Sequence, residues 1–294
     1  MVNFSVCIIA KNEESCIGDC LESIKEAPDI VVVDTGSTDK TREIASAYTD
    51  RVYELTWMDN FALAHNFADN KGLFRWKLYI DADEKLCSGI ELVHELCTRG
   101  NAEHIKSYDV KLTSPDRTEY YRAPRLYKRY VDTWWVGAAH PTLNVSKRNP
   151  CDLEIEVGNS INHKRDPLRT RRILLAEIAN NDHLVREKFY LGREFAHDGE
   201  WEQAMHWLES FLSDDYLREY QAEANLLLCK IYRHFNMECR AVMHCQAAVD
   251  ILPQFREAWQ IRYLLSGDPE HKQKAKEATN EGVLFVRTRS WLNG

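Results

Sequence analysis

The first part of the chain alternates short apolar runs with polar stretches whose apolar residues recur every three to four positions. The apolar runs that predict strands are Phe4–Ala10, Ile30–Asp34, Arg51–Thr56 and Trp76–Ile80. The stretches that predict helices are Glu14–Glu26, Thr38–Ala47 (with Ser37 or Thr38 as its cap) and Ala62–Lys71. Strands that alternate with helices at this spacing predict βαβ units and a parallel sheet. The predicted fold class is therefore α/β, with a Rossmann-like, mostly parallel sheet.

The pattern changes twice further along the chain. Between Lys106 and Asn162 it predicts short β segments, namely Ser107–Leu112, Arg125–Tyr130 and Glu154–Val157. After Pro167 apolar residues recur at helical spacing in six stretches: Arg169–Asn180, Leu184–His197, Glu200–Leu212, Gln221–Phe235, Glu238–Ile251 and Arg256–Leu265. Leu191 and Ala204 are echoed 37 positions later by Leu228 and Ala241, which favours a tetratricopeptide-like array over an irregular helical bundle. We predict two domains, an α/β domain over 1–167 and an all-α domain over 168–294.

Composition excludes several classes of protein. Of 294 residues 44% are hydrophobic and 29% are charged, so a disordered or low-complexity chain is excluded. The net charge of −8 argues against a globally basic nucleic-acid binder. No apolar run approaches the roughly 18 residues that span a bilayer. The N-terminus does not resemble a signal peptide and the nine cysteines are an odd number, so we expect reduced thiols and a cytoplasmic location.

The turn after the second predicted strand carries the first candidate site. Asp34 at the strand end is followed by Gly36 and Ser37 before a helix. A carboxylate only accepts hydrogen bonds, so Asp34 suits the N3–H of uracil or thymine and not cytosine, which has no proton there. A glycine-containing turn with a capped helix explains the same residues without a ligand.

Two carboxylates follow the fourth predicted strand. Asp81 and Asp83 lie one residue apart, directly after an apolar run, and would repel each other unless a cation lay between them. Oxygen ligands of this kind suit Mg²⁺ or Mn²⁺, which commonly link carboxylates to a diphosphate. A solvated acidic turn is the alternative.

Four segments together resemble the ordered motifs of family-2 glycosyltransferases with a GT-A fold: Val6–Glu14, Val33–Thr41, Asp59–Asn66 and Asp81–Glu84. The later helices resemble the tetratricopeptide-like extension of some members, such as bacteriocin S-glycosyltransferases, and lipopolysaccharide-core glucosyltransferases are similar too. The resemblance implies inverting transfer from a UDP- or dTDP-sugar with Mn²⁺ or Mg²⁺. It implies that Asp34 reads the base and that the donor is also contacted at Ala10, Asn12, Glu14, Ser37, Asn66, Asp81 and Arg125. It implies a metal held by Asp83, Asp81 and His163.

Two positions depart from the family pattern. His65 stands where relatives often have arginine, and Pro141 stands where a glutamate often follows the histidine of a Trp-x-Gly-x-x-His motif. With that carboxylate missing, His140 is the best remaining base for the acceptor, and Asp132 is a weaker one. His140 could instead contact the metal or phosphate, or be structural.

The acceptor stays open at this stage. A protein or peptide, a glycan and a modified base in DNA are all compatible with the sequence, the last because Arg122, Arg125, Lys128 and Arg129 alternate with tyrosines. We expect no membrane span, and a helical domain that positions the acceptor or forms a homodimer. The alternative function is a catalytically degenerate scaffold that binds sugar nucleotides or partner proteins.

Overall fold

The computed structural model describes residues 2–130, 132–145, 148–158, 166, 168–181, 183–284 and 286–287. The chain divides into two compact units, Met1–Leu168 and Arg169–Gly294. The first unit contains a sheet with helices, and the second is built almost entirely of helices. The prediction of an α/β region followed by a helical one is therefore confirmed.

The strands of the first unit are β1 (Phe4–Ala10), β2 (Ile30–Asp34), β3 (Val52–Glu54), β4 (Trp76–Tyr79), β5 (Lys85–Leu86), β6 (Ser107–Thr113), β7 (Glu119–Lys128), β8 (Trp135–Val136), β9 (Thr142–Leu143) and β10 (Asn149–Glu156). Eight of them form one sheet in the order β3-β2-β1-β4-β7-β6-β10-β5. The first four strands in this order are parallel, and β7 is antiparallel to both β4 and β6. The carboxyl ends of β1, β2 and β4 therefore lie at one edge of the sheet, where ligands of parallel sheets bind.

Four helices cover this sheet: α1 (Ile17–Ser23), α2 (Thr41–Ser46), α3 (Phe61–Lys71) and α4 (Ile90–Ala102). Alternate residues of a strand face opposite sides, and β1 shows this clearly. Val6 and Ile8 belong to the main core with residues of α1, α2 and α4. Cys7 belongs to a smaller core with Ala68 of α3. Helix α3 therefore lies alone among these four against the second face of the central strands, close to the edge just described.

Several predicted boundaries were wrong. Helix α1 begins three residues later than predicted because Glu13 to Cys16 form a turn that precedes it. Helix α2 begins at Thr41, and neither Ser37 nor Thr38 caps it, because the hydroxyl of Ser37 accepts a hydrogen bond from the loop after β1 instead. Strand β7 covers Glu119–Lys128 rather than Arg125–Tyr130. Helix α4 was not predicted.

The helices of the second unit are α5 (Arg169–Asn180), α6 (Val185–His197), α7 (Trp201–Leu212), α8 (Arg218–His234), α9 (Glu238–Ile251), α10 (Arg256–Ser266) and α11 (Pro269–Glu277), followed by the two-residue strand β11 (Val286–Arg287). The echoed residues Leu191, Leu228, Ala204 and Ala241 are fully buried. Each pair occupies matching helices, the leucines on α6 and α8 and the alanines on α7 and α9. Within the described ranges, no helix is both long and apolar enough to cross a membrane.

The start of α3 gives a first testable prediction. The side chain of Asn60 caps this helix by accepting a hydrogen bond from the backbone N–H of Leu63 at 2.8 Å. We expect Asn60→Ala to lower the free energy of unfolding by about 1 kcal/mol, and Asn60→Asp to preserve it, because aspartate can cap equally well. Urea unfolding of both variants tests this, and equal losses would contradict the capping role.

Candidate functional site

Asp34 is the last residue of β2, and only one of its two carboxylate oxygens accepts hydrogen bonds from the described residues. The side chain lies at the strand end and the residue is 2% exposed. Its Oδ1 accepts hydrogen bonds from the backbone N–H groups of Gly36 at 3.1 Å and Ser37 at 3.0 Å. Gly36 has φ +103°, which L side chains rarely adopt. Oδ2 is buried and finds no hydrogen-bond partner among the described residues. An acceptor buried in this way favours a ligand that donates a hydrogen bond to it.

The loops that follow β1 and β2 are bound to each other around Asp34. The backbone N–H of Asn12 donates to the hydroxyl of Ser37 at 2.8 Å, and the amide oxygen of Asn12 accepts from the N–H of Thr38 at 2.8 Å. Asn12 adopts φ +57°, a conformation that asparagine tolerates better than most residues. Below these contacts the carbonyl of Ala10 accepts from the N–H of Thr35 at 2.9 Å. The predicted nucleotide contacts Ala10, Asn12 and Ser37 thus have a structural role here, because they hold the Asp34 turn.

A second pair of contacts extends this junction towards α2. The N–H of Glu13 donates to the hydroxyl of Thr41 at 2.7 Å, and the carboxylate of Glu14 accepts from the N–H of Lys40 at 3.0 Å. Glu14 is exposed. Its placement beside the nucleotide stays a prediction, whereas its bond to the following helix start is observed.

The acidic edge after β4 contains its own cation. Nη2 of Arg125 lies 3.2 Å from Oδ2 of Asp81 and 2.9 Å from Oε1 of Glu84. The hydroxyl of Tyr79 donates to Oδ1 of Asp81, and the N–H of Asp81 donates to Oε2 of Glu84 at 2.8 Å. The guanidinium lies 4.3 Å from the centre of the Tyr79 ring. From the sequence we expected a metal cation between Asp81 and Asp83. In the structure, Arg125 already balances the charge of the Asp81 carboxylate.

These contacts set the protonation of the two acids in opposite directions. Burial favours a higher pKa for Asp81, but the charge of Arg125 and the Tyr79 hydrogen bond outweigh it and lower that pKa. Burial raises the pKa of Glu84 to about 8, although Arg125 opposes the shift. Asp81 is therefore ionised at neutral pH. Burial instead disfavours the ionised form of Glu84, which binds a proton more readily than a free glutamate does.

Asp83 is the second carboxylate for which the sequence predicts a metal. It is half-buried, and the chain after β10 passes so close that a Cβ on Gly158 would lie 2.0 Å from its backbone oxygen and 2.5 Å from its Cγ. Among the described residues no three histidine, cysteine or acidic side chains form a ready metal cluster. Carboxylate oxygens from Asp83 and Asp81 fit Mg²⁺ or Mn²⁺ only if diphosphate oxygens and water complete the shell, as is common for these ions. His163 lies outside the described residues.

Asn66 and His140 belong to one assembly of α3 and the β8–β9 hairpin. The side chain of Asn66 accepts from the N–H of Trp135 at 2.9 Å and donates to its carbonyl at 3.0 Å, as a neighbouring strand would. The N–H of Phe61 donates to the carbonyl of Ala138 at 2.9 Å. His140 lies in the turn between β8 and β9, half-buried and with φ +46°. The predicted donor contact Asn66 therefore anchors the hairpin that carries the candidate base.

His65 is a buried packing residue. It is 3% exposed, stacked on Trp135 at 4.5 Å and set edge-on to Tyr79 at 4.2 Å. Burial lowers its pKa to about 3, so the ring is neutral. At this position, where relatives often have arginine, the neutral ring offers no positive charge to a phosphate.

Two of the basic residues that alternate with tyrosines along β7 are not available at the surface. Arg125 and Lys128 are buried, and the ammonium of Lys128 donates to the carbonyl of Gly100 at 3.1 Å. A register shift between β6 and β7, at Tyr108 and Asp109, interrupts the simple alternation. The strand therefore does not present a continuous basic surface for stacked bases.

The predicted residues fall into three groups in the first unit. One surrounds Asp34, one surrounds Asp81 and Arg125, and one joins Asn66 to the hairpin of His140. The sequence analysis missed Tyr79 and Glu84, although Glu84 directly follows the acidic motif and Tyr79 ends the strand before it. It also missed Asp69 and Tyr127, for which no sequence signal pointed to a polar contact.

The buried state of His65 predicts an acid-dependent loss of stability. In the unfolded chain His65 binds a proton below about pH 6.5, whereas in the folded chain it binds one only near pH 3. The free energy of unfolding therefore falls as the pH decreases between these two values. We expect His65→Phe to lose about 2 kcal/mol less unfolding free energy than wild type between pH 7 and pH 5. Urea unfolding at both pH values measures the difference, with the exposed His197→Gln as control. Parallel losses in wild type and His65→Phe would show that folding leaves the pKa of His65 unchanged, and would contradict the prediction.

Parts of the chain are similar to known proteins. The family model "Glycosyl transferase family 2" matches residues 5–86. A TPR repeat-containing protein of Synechococcus elongatus is 31% identical over 50% of this chain and 36% of its own length. The lipopolysaccharide core biosynthesis glycosyltransferase LpsC of Rhizobium meliloti is 37% identical over 31% of this chain and 36% of its own length. A crystal structure of S. aureus TarS in complex with UDP-GlcNAc aligns over 88% of this chain and 92% of that chain, with 14% identity and a TM-score of 0.49.

The aligned part of this chain thus spans little more than a third of the length of these two curated relatives. The family match contains both the Asp34 turn and the acidic edge after β4. The similarity to glycosyl transferase family 2 therefore covers residues 5–86.

Proposed function

We propose that the protein is an inverting, metal-dependent glycosyltransferase that takes its sugar from a UDP- or dTDP-sugar. The observation that carries this proposal is the buried Oδ2 of Asp34, an acceptor that finds no partner in the described part of the chain and lies at the carboxyl end of β2, within the segment that matches glycosyl transferase family 2. The N3–H of uracil or thymine supplies the missing donor. The two backbone bonds to Oδ1 orient the carboxylate before the base arrives.

The diphosphate would lie towards the acidic edge, with Asp83 and Asp81 holding Mn²⁺ or Mg²⁺. When bound, the metal stabilises negative charge on the departing nucleoside diphosphate. Asp83 would supply one carboxylate, and Arg125 and Tyr79 orient the other, Asp81. The part of the protein in this step is to hold the two carboxylates in position.

His140 is the proposed base on the acceptor side. An inverting transfer requires a group that removes a proton from the acceptor hydroxyl or thiol as the new bond forms. His140 lies on a hairpin anchored by Asn66 and α3, which gives it a defined position. A contact of His140 with the metal or phosphate remains the alternative role.

The sequence alone slightly favours a protein or peptide acceptor over a glycan or a modified base in DNA, and we propose a glycan because of one relative. LpsC is named for lipopolysaccharide core biosynthesis, which supports a glycan acceptor. The burial of Arg125 and Lys128 weighs against DNA. We propose that the tetratricopeptide-like helical unit positions the acceptor or forms a homodimer, and that the protein acts in the cytoplasm.

The second candidate function is a sugar-nucleotide-binding scaffold without turnover. The neutral, buried His65 favours it, because the position lacks the cation that an active relative would offer the phosphates. Pro141 after His140 favours it as well, since no carboxylate follows the candidate base. Binding is shared by both functions, so turnover decides between them.

Of the predictions that test the proposed function, the first concerns base selectivity. Asp34→Asn keeps the oxygen that accepts from Gly36 and Ser37 but places an NH₂ group where Oδ2 lies. We expect UDP affinity to fall by about 10- to 100-fold, because a charge-assisted hydrogen bond becomes a donor–donor contact. CDP, whose ring N3 is an acceptor, should lose less affinity or gain some. Isothermal titration measures both ligands, and an unchanged ratio of UDP to CDP affinity would refute the assignment of Asp34.

The second prediction concerns the metal. We expect release of UDP from at least one UDP-sugar to require Mn²⁺ or Mg²⁺, to stop with EDTA, and to be abolished by Asp83→Ala. The exposed Glu103→Ala at the end of α4 serves as the control and should retain the activity. UDP binding without turnover, across a panel of donors and metals, would instead favour the scaffold.

A further inference from the structure

A buried acid on α3 belongs to none of the groups described above. Asp69 is 3% exposed, and its Oδ1 accepts a hydrogen bond from the hydroxyl of Tyr127 on β7 at 2.7 Å. The same hydroxyl accepts from the indole N–H of Trp135, the first residue of β8, at 2.9 Å. Tyr127 is fully buried and Trp135 is 6% exposed. Two buried hydrogen bonds therefore connect α3 through β7 to the hairpin.

The position of Asp69 is energetically unfavourable. Burial raises its pKa to about 6, although Tyr127, Lys77 and Arg129 each oppose the shift. The ion pair with Arg129 is long, since Nε of Arg129 lies 3.9 Å from Oδ2. A leucine would fill such a place on an amphipathic helix without this cost. The carboxylate is therefore poorly explained by stability alone, and its contacts suggest what it does.

Those contacts converge on Trp135 from three directions. Asp69 and Tyr127 fix the indole N–H, His65 stacks on the ring at 4.5 Å, and Asn66 binds the backbone N–H and carbonyl. Three of these side chains come from one helix, α3. Trp135 is thus held in position and orientation, and His140 follows five residues later in the same hairpin.

We propose that Asp69, Tyr127 and Trp135 form a positioning relay that sets the place of the hairpin turn carrying His140, and so of the base on the acceptor side. The inference rests on the proposed function and adds three residues that touch neither donor nor acceptor. The relay acts through the position of His140, and it holds no substrate itself.

The relay should affect turnover and leave donor binding intact. A shift of about 1 Å in a reacting group can lower a rate by about 100-fold. The Asp34 turn is tied to the loops after β1 and β2, whereas the relay connects α3, β7 and β8. Damage to the relay therefore separates kcat from the affinity for UDP, which general unfolding would not do.

The chain offers a matched pair of variants. Tyr127→Phe removes the hydroxyl that links Asp69 to Trp135. Tyr108→Phe removes a hydroxyl of another buried tyrosine, on the neighbouring strand β6, where it donates to the carbonyl of Leu96 at 3.0 Å and, among the described residues, makes no hydrogen bond to the hairpin. Asp69→Asn keeps an oxygen that can accept from Tyr127, whereas Asp69→Leu does not.

We expect Tyr127→Phe and Asp69→Leu to lower kcat by about tenfold or more with the Kd for UDP within about twofold of wild type. Tyr108→Phe should stay near wild type in both quantities, and Asp69→Asn should keep most of kcat. Hydrogen exchange of the full chain should show faster exchange over residues 134–145 in Tyr127→Phe and not in Tyr108→Phe.

Equal effects of Tyr127→Phe and Tyr108→Phe on kcat would overturn the relay, because any buried hydroxyl would then serve as well. Unchanged kcat in Asp69→Leu would overturn it too. Absence of turnover in the wild type would refute the proposed function instead, and the exchange over residues 134–145 would still test whether the relay holds the hairpin.

Discussion

The carboxylate of Asp34 accepts two backbone N–H groups through one oxygen and buries the other without a partner in the described part of the chain. An unpaired buried acceptor is costly, so the fold must hold it in place. The loops after β1 and β2 do so through reciprocal bonds between Asn12 and the residues Ser37 and Thr38. The parallel order of β2, β1 and β4 then puts this oxygen at the same sheet edge as the acidic motif.

Arg125 balances part of the negative charge at that sheet edge. Arg125 lies between Asp81 and Glu84, so these two acids need no metal to coexist. We propose that the metal and the diphosphate bind at Asp83 and Asp81, with Asp81 oriented by Arg125 and Tyr79.

Sequence patterns predicted the α/β region, the helical region and the turn after β2, because each depends on local periodicity or on glycine and carboxylate chemistry. They did not predict Arg125 as the partner of Asp81, since that contact joins residues 44 positions apart across an antiparallel pair. The Asp69–Tyr127 bond, 58 positions apart, escaped for the same reason. The late start of α2 was missed because Ser37 and Thr38 bond to Asn12, a tertiary contact that outweighs local capping preference.

The most direct test is a crystal structure of the full chain soaked with UDP and manganese. The account predicts that N3 of uracil lies about 2.7–3.2 Å from Oδ2 of Asp34, with manganese between Asp83 and the diphosphate. A uracil bound away from Asp34, or manganese that leaves Asp83 free, would contradict it.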